Sequence, residues 1–317
     1  MCCMEGRVQL PLLKPPPALL EQLLDYRNHG KAAAFRHNIR IYNASFAFTS
    51  MGGKIDNEIN KCGGPYPFRV NGQHCHLLGS LATLDGGKAQ FAQLYIHDTE
   101  NEIANRLADL RSVDRQSSLD EDFMRGLLEM LDEHNVLVQS FRMARDKFRD
   151  NEARELKHRL IGNRYTDGRQ YNLPSCSEVA ALIVGKPSDE ETRRDIIVEH
   201  KSGRLQRITK LHPSFMTLQY PLLFPYREDG FRLGASHHNP ETGKRYKQQT
   251  VTVRQYYAFC LQQRSEEAQT LLKAGRLLQQ FLVDAYAYIE EGRLNWILNN
   301  HKKLRAELYD GLRYVIK

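Results

Sequence analysis

The sequence lacks any long apolar run, and nowhere does it approach the roughly 18 consecutive apolar residues that a membrane-spanning helix needs. Its N-terminus also lacks a basic stretch followed by an uninterrupted apolar core, which argues against a secretory signal. Cysteine is scarce, with six residues at irregular spacing, and this pattern favours reduced thiols over a disulfide framework. These absences predict an intracellular protein with no membrane partner.

Motifs for nucleotide binding are missing as well. A phosphate-binding loop needs the pattern GxxxxGK[ST], and the chain has two Gly-Lys pairs, at 53–54 and 243–244. Phe48 and His238 stand where the first glycine of each motif should be, and neither pair is followed by Ser or Thr. We therefore predict no ATP site and no other cofactor site in this chain.

The net charge of +7 is unevenly distributed along the sequence. Residues 1–200 contain 26 Lys and Arg against 28 Asp and Glu, whereas residues 201–317 contain 19 against 10. A basic excess of this kind indicates a polyanionic partner such as nucleic acid. A solvated basic face without a ligand is the commoner cause, and both interpretations stay open at this point.

The stretch NGQHCHLLGS contains the one pattern that suggests a metal site. On an extended strand His74 and His76 would share a face, and such a pair can chelate a divalent ion, as in nucleases that open single-stranded DNA. The alternative is a hairpin strand that carries two neutral imidazoles, which is the commoner origin of so short a motif. Cys2 and Cys3 are weaker metal candidates, because no CxxC pair is present to complete a zinc finger.

The residue patterns predict an α+β fold in which small antiparallel β-modules are separated by a long amphipathic helix. Residues 38–49 alternate small or polar with bulky side chains, which is typical of a strand. PYPFRV and HCHLLGSL are predicted to pair as a hairpin across Asn71-Gly72, a dipeptide suited to a tight turn. FAQLYIHD, at 91–98, is predicted to be a further strand.

Helical periodicity dominates two other parts of the chain. Apolar residues between 117 and 160 recur mostly at three-, four- or seven-residue spacing, which predicts an amphipathic helix or helical pair, with Ser118 and Glu121 as its capping box. EVAALIV, RDIIVEH and LQRITKLH then indicate a β-meander. Apolar stripes predict the closing helices at roughly 252–265, 266–291 and 293–313.

These elements divide the chain into predicted regions. They are an N-terminal tether (1–30), a β-rich module with the hairpin (31–116), the long helix or helical pair (117–161), a β-meander module with a basic loop (171–250) and a helical C-terminal region (251–317).

Several long stretches, taken in order, resemble the N-terminal part of plant Helitron transposases. The longest are HPSFMTLQYPLLFPYREDGF at 212–231, QYYAFCLQQR at 255–264 and the run from GRLLQQFLVDAYAYIEEGR to KKLRAELYDGL at 275–312. FTSMGGKIDNEIN, PYPFRVNGQHCHLLGSL and FAQLYIHDTENEIANR extend the resemblance towards the N-terminus. It covers almost the whole chain, and it makes residues 251–317 the start of a Helitron helicase-like domain.

The resemblance implies a parent protein that transposes DNA by a rolling-circle route, with a nuclease and a helicase that use a divalent metal and ATP. In that family the nuclease histidines lie downstream of the stretch that resembles KKLRAELYDGL, so the resemblance implies no catalytic residue here. We therefore predict a nuclear, non-catalytic region that engages DNA or serves as a scaffold for downstream nuclease and helicase domains. The alternatives are a protein-interaction module without a DNA role and, more remotely, a metal-dependent single-strand nuclease.

Six cations in the basic third are predicted to contact DNA. They are Arg245, Lys247, Arg254, Lys302, Lys303 and Arg305. Tyr246, Tyr256 and Tyr257 lie near some of them in the sequence. Cations neutralise phosphates and aromatic rings stack on unpaired bases, so this mixture predicts single-stranded DNA as the partner. For each residue the alternative is a solvated cation with no ligand.

Overall fold

A computed structural model of the chain has the α+β architecture that the sequence predicts, with helices packed against small antiparallel sheets of two or three strands. The residues that it describes are 3–56, 58–61, 66–72, 75–80, 88–97, 99–113, 119–149, 156–160, 180–184, 196–199, 206–208, 210 and 212–300. Their buried apolar side chains form a core cluster that extends along the sequence from Val8 to Tyr288. The division of the chain into five regions remains a prediction.

The described helices are α1 (Ala18–Leu24), α2 (Lys31–Phe46), α3 (Glu102–Val113), α4 (Glu121–His134), α5 (Val136–Arg149), α6 (Phe215–Gln219), α7 (Val253–Cys260), α8 (Thr270–Lys273) and α9 (Arg276–Asn300). Short 3₁₀ helices lie at Glu58–Asn60 and Phe91–Tyr95. The strands are β1 (Ser50–Met51), β2 (Lys54–Ile55), β3 (Val70–Asn71), β4 (His76–Leu78), β5 (Leu156–Leu160), β6 (Ala180–Val184), β7 (Ile196–Glu199), β8 (Gln206–Arg207), β9 (Ser236–His238) and β10 (Arg245–Thr250).

Two segments predicted to be extended are helical. Most of 38–49 belongs to α2, and 91–95, which begins the predicted strand at 91–98, is a 3₁₀ helix. The large buried side chains of α2 are Phe35, Ile39, Tyr42 and Phe46. They recur every three or four positions, which is the period of a helix face, so the apparent alternation was a misleading signal.

The N-terminal segment predicted to be a tether contributes to the core. Val8 is buried, as are Leu20, Leu23 and Leu24 on one face of α1. That face packs against α2 and α4. The prolines before α1 therefore lead into a packed helix, because the apolar residues that follow them have helical spacing.

The hairpin predicted across Asn71-Gly72 has different strand pairing in the structure. β3 pairs with β2, and β4 pairs with β1, so the two segments predicted to pair with each other lie in different sheets. Asn71 ends β3, and Gly72 after it has a φ of 94°. Glycine adopts this left-handed conformation at little cost, so the dipeptide ends a strand and does not form a turn between two paired strands.

The predicted helical pair is confirmed as α4 and α5, which are separated by Asn135. The cap of α4 is Asp120 rather than Ser118, and its side chain accepts hydrogen bonds from two amides of the first turn. Ser118 itself lies outside the described residues. Residues 156–160, which were expected to continue the helical region, form β5 instead.

The predicted meander is wrong in its connectivity. β5 is the central strand of a sheet with the order β6-β5-β7, so β6 and β7 each pair with β5 and not with one another. β8 joins the other side of β4 and thus belongs to the sheet that contains β1. Local hydrophobic patterns identified these strands, but strand partners depend on contacts between distant parts of the chain.

The C-terminal helices differ from the prediction mainly in their ends. α7 ends at Cys260, and α9 continues without a break through Gly292, where a helix boundary was expected. A single glycine weakens a helix by about 1 kcal/mol without ending it. The buried face of α9 includes Leu277, Phe281 and Tyr288, and the helix packs against α2 and α7. This packing brings the N-terminal helices next to the start of α9.

Candidate nucleic-acid interface

Three of the predicted DNA-contacting residues lie on β10 and in the first turn of α7. Arg245 is the first residue of β10; it is exposed, and its backbone pairs with that of His238 in β9. Lys247 lies two positions further along the same strand. Arg254 is exposed in α7. The three positions belong to one continuous piece of chain, and their contact with DNA stays a prediction.

The other predicted cations, Lys302, Lys303 and Arg305, lie outside the described residues. Tyr246 is half-buried, whereas Tyr256 and Tyr257 are only 6% and 2% exposed. Their rings contact each other, and the ring of Tyr257 also contacts Phe281 of α9. Tyr256 and Tyr257 therefore offer no ring at the outer surface beside Arg254, because α7 turns its aromatic face towards the core.

A group of cations and aromatic rings that the sequence analysis did not single out lies between α2 and the start of α9. We call it the Arg40 cluster, and it consists of Arg40, His37, Arg276, Tyr66 and Phe68. The guanidinium carbon of Arg40 lies 4.5 Å from the ring centroid of Phe68 and 5.8 Å from that of Tyr66. The guanidinium carbon of Arg276 lies 4.3 Å from the Tyr66 centroid. The Tyr66 ring thus contacts two cations.

Neutral polar groups hold these side chains in place. Arg40 donates one hydrogen bond to Gln280 Oε1 at 3.1 Å and another to the Tyr66 hydroxyl. Arg276 Nη1 lies 3.3 Å from His37 Nε2, which accepts because a guanidinium only donates. These contacts orient both guanidinium groups without cancelling their charge.

The Arg40 cluster is electrostatically suited to an anion. Within the described part of the chain, neither Arg40 nor Arg276 forms an ion pair with a carboxylate. Burial lowers the pKa of Arg40, and the nearby charge of Arg276 acts in the same direction, while Tyr66 opposes them. Because arginine remains charged, two like charges persist side by side, and an external anion would relieve their repulsion.

Arg36 extends the Arg40 cluster along the same face of α2, since it lies one turn before Arg40. Its guanidinium carbon is 4.9 Å from the ring centroid of Tyr26, which is 57% exposed. Arg36 also donates to the backbone carbonyls of Leu23, at 3.0 Å, and Asp25, at 2.8 Å. It thereby fixes the connection from α1 to α2 and places an accessible aromatic ring beside the cluster.

The metal-site interpretation of His76 is wrong because both ring nitrogens are engaged inside the core. Nδ1 lies 3.1 Å from the carbonyl oxygen of Phe215 and therefore carries a proton, and Nε2 lies 2.6 Å from Asp284 Oδ2. The Tyr220 hydroxyl donates to the same Asp284 oxygen at 3.0 Å. His76 is fully buried and stacks on Phe215, so its role here is structural. His74 lies outside the described residues.

The remaining metal candidates and the membrane prediction can be compared with the structure only in part. Cys2 is not among the described residues, and Cys3 packs against the core. Within the described ranges no three His, Cys, Asp or Glu side chains form a group that could hold a metal ion. In the same ranges no helix is both long and apolar enough to cross a membrane.

The sequence contained one signal for the Arg40 cluster. Arg36 and Arg40 are four residues apart. Tyr66 and Phe68 stand on either side of a single proline. The alternation at 38–49 predicts a strand, and it conceals this helical spacing. The contribution of Arg276 was not accessible to local reasoning, since it comes from a helix more than two hundred residues away.

Comparison with known proteins gives a context for this site. Residues 256–317 match a family described as the Helitron helicase-like domain at the N-terminus. The match begins within α7 and includes α9, which holds Arg276. No curated protein matches the chain. The chain therefore carries a Helitron helicase-like N-terminal region in its last 62 residues.

Proposed function

We propose that this chain is a non-catalytic region of a plant-type Helitron transposase, and that it engages single-stranded DNA through the Arg40 cluster. The observation that carries the proposal is the pair of guanidinium groups, Arg40 and Arg276, which both contact Tyr66 and have no carboxylate partner in the described residues. The family match at 256–317 supports a transposase context.

The chemistry of binding follows from these side chains. Guanidinium groups bind phosphate oxygens through paired N–H donors, and here aromatic and neutral polar contacts already orient them. The exposed ring of Tyr26 offers a surface on which an unpaired base can stack. Contacts to phosphates and to base faces carry little sequence information, so we expect binding to many unrelated single strands.

Salt-titrated binding tests this proposal. Arg40→Gln combined with Arg276→Gln should weaken binding of a fluorescent 11-nucleotide single strand about tenfold at low salt. The slope of log affinity against log salt should become shallower by about 1.4, because each phosphate contact to a single strand contributes about 0.7. Fluorescence anisotropy at several salt concentrations measures both quantities.

The control is a second double variant that removes the same charge elsewhere. It combines Arg125→Gln on α4 with Arg145→Gln on α5, and each of these arginines forms an ion pair with a carboxylate. This control should bind DNA as the unaltered protein does. Equal losses in both double variants would show that net charge alone, and not the Arg40 cluster, drives binding.

We further propose that catalysis belongs to a nuclease and a helicase of the parent protein, which would use divalent metal and ATP, and that the chain acts in the nucleus beside them. Purified chain should then neither hydrolyse ATP nor cleave single-stranded DNA in the presence of Mg²⁺ or Mn²⁺. Either activity, if lost on substitution of a residue in this chain, would contradict the proposal. A fluorescent fusion of the parent protein tests the nuclear location.

A second candidate function, protein interaction, is favoured by the end of α9. Four large apolar side chains are exposed there: Leu294, Trp296, Ile297 and Leu298. Leu294 and Ile297 lie on the same face of α9. Apolar residues with this spacing can anchor a helix in a groove of a partner protein. Replacing both with Ser should abolish association with such a partner and leave DNA affinity unchanged. Because apolar docking depends little on salt, the salt titration separates the two functions.

A further inference from the structure

A cavity of about 260 Å³ lies between the N-terminal segment and α7. Its lining is mainly apolar and includes Leu10, Leu13, Phe224, Tyr256 and Phe259. The volume is just below the range of about 300–1,000 Å³ that accommodates drug-sized ligands, so the cavity suits a smaller molecule. Three of the thirteen lining residues are aromatic, and a planar ligand can pack against their rings.

One acidic side chain at this cavity differs from its neighbours. Glu228 is among the lining residues, and its Oε2 is buried with no hydrogen-bond partner among the described residues. Asp229 is bonded to Arg227, at 2.9 Å, and to a second arginine. Glu267 lies 2.6 Å from Arg264 and accepts a further bond from a backbone amide. Glu228 is thus the carboxylate left to receive a donor from a ligand.

The surroundings of Glu228 favour a neutral donor over a cation. Burial raises the pKa of Glu228 from 4.5 to about 7, against the opposing effect of the backbone amides of Glu228 and Tyr226. Near neutral pH the side chain therefore keeps a proton more readily than an exposed glutamate does, and a permanent positive charge would gain less from it. Lys14, which also lines the cavity, is exposed and can meet a phosphate outside it.

We propose that this cavity receives one base of a bound single strand, and that Glu228 selects bases with an exocyclic amino group. The inference rests on the proposed function, because the strand must first be held by the cations. The amino group donates a hydrogen bond to Oε2, and the base lies against the aromatic walls. Carboxylates accept from the amino group of cytosine in the same way in protein–DNA complexes.

Cytosine and thymine are pyrimidines of similar size. Cytosine has an amino group at position 4, whereas thymine has a carbonyl oxygen there, an N3–H and a 5-methyl group that an apolar pocket would favour, so a preference for cytosine would have to come from the amino group. The probes are dC11 and dT11, bound at pH 7.5 and followed by fluorescence anisotropy. The unaltered protein should bind dC11 about tenfold more tightly than dT11, the effect of one hydrogen bond that cytosine makes and thymine does not. Glu228→Gln keeps one acceptor oxygen and adds an N–H donor, so its amide can pair with either base after rotating, and the preference should disappear while dT11 affinity is retained.

The control Glu241→Gln, at an exposed position in the turn between β9 and β10, should keep the preference for dC11. Equal binding of dC11 and dT11 by the unaltered protein would overturn the base pocket and leave the DNA proposal standing. Binding of neither oligonucleotide would overturn both.

A second measurement needs no variant. Free cytidine, but not uridine, should shift the methyl resonances of Leu10 and Leu13 in a ¹³C-labelled sample. If both nucleosides or neither shift them, selection by Glu228 is contradicted.

Discussion

Arg106 and Arg142 lie together in a largely buried site, whereas the side chains of the Arg40 cluster are partly or fully exposed. The two regions also differ in which groups contact the guanidinium groups. Glu102 Oε1 lies 2.5 Å from Arg106 Nη2, and Glu102 Oε2 lies 2.8 Å from Arg142 Nη2. Asp132 adds a further bond to Arg142 at 2.8 Å. In the Arg40 cluster the described neighbours are instead an amide, an imidazole, a hydroxyl and aromatic rings.

Aromatic contact does not distinguish the two regions. The guanidinium carbon of Arg106 lies 4.3 Å from the Tyr95 centroid, which is close to the 4.5 Å between Arg40 and Phe68. The carboxylates make the difference, because they neutralise the first pair of arginines inside the protein. The comparison teaches that an arginine on an aromatic ring is a candidate for DNA contact only where its charge is not already balanced.

The largest expected effect comes from breaking the balanced region. Glu102→Ala leaves Arg106 and Arg142 without their shared carboxylate in a buried site. Loss of one partner of a buried ion pair costs about 3–5 kcal/mol, so the free energy of unfolding should fall by that amount. Urea denaturation followed by circular dichroism measures it.

The same variant separates stability from DNA binding. Where it remains folded, Glu102→Ala should show the salt slope of the unaltered protein, because Arg106 is buried and cannot reach a phosphate. A loss of stability below about 1 kcal/mol would mean that the pair behaves as surface pairs do and that its burial contributes nothing.

Glu228 extends the comparison to a carboxylate that lacks a cationic partner. Its pKa is raised, so the folded state holds a proton that the unfolded state releases, and stability falls as the pH rises from 4.5 to about 7. Relative to Glu228→Gln, the unaltered protein should lose at most about 3 kcal/mol across this window and no more above it. Urea denaturation of both proteins at pH 4.5, 6 and 8 tests this, and a constant difference would contradict it.

The fold could be predicted from the sequence where apolar residues recur at regular helical spacing along one face of a helix. The pair α4 and α5 was predicted because the apolar spacing of both is regular and local. α2 was missed because Asn38 and Arg40 alternate with Ile39 and Ile41, which imitates a strand over four residues. Strand pairing was missed for another reason: β5 acquires its partners from segments twenty or more residues away, and nothing local specifies them.

The candidate site was less predictable than the fold. Charge counting directed attention to residues after 200, whereas the Arg40 cluster takes His37 and Arg40 from the part of the chain with a small negative net charge. An average over 200 residues conceals a local pair of unbalanced cations. Tyr256 was assigned to stacking from its place beside Arg254, but the helix turns neighbouring side chains to different faces.

A smaller effect, on binding rather than folding, is expected from the second set of cations. Arg245, Lys247 and Arg254 changed together to Ala should flatten the salt slope by about two units if all three contact phosphates of a single strand. Stability should change little, because Arg245 and Arg254 are exposed. Anisotropy titrations of this triple variant and of the Arg40 and Arg276 double variant show which set of cations contributes more to DNA binding. An unchanged slope would confine the DNA path to the Arg40 cluster.

The smallest effect is expected where a carboxylate balances an arginine at the surface. Arg125 Nη2 lies 3.0 Å from Glu121 Oε1, and both side chains are more than half exposed. Water already screens this pair, so Arg125→Gln should lower the free energy of unfolding by no more than about 0.5 kcal/mol. Its DNA affinity should equal that of the unaltered protein, because the charge was balanced before the change. Urea denaturation and anisotropy on one preparation measure both. If Arg125→Gln cost as much stability as Glu102→Ala, the pairing itself, and not burial, would set the strength of these contacts.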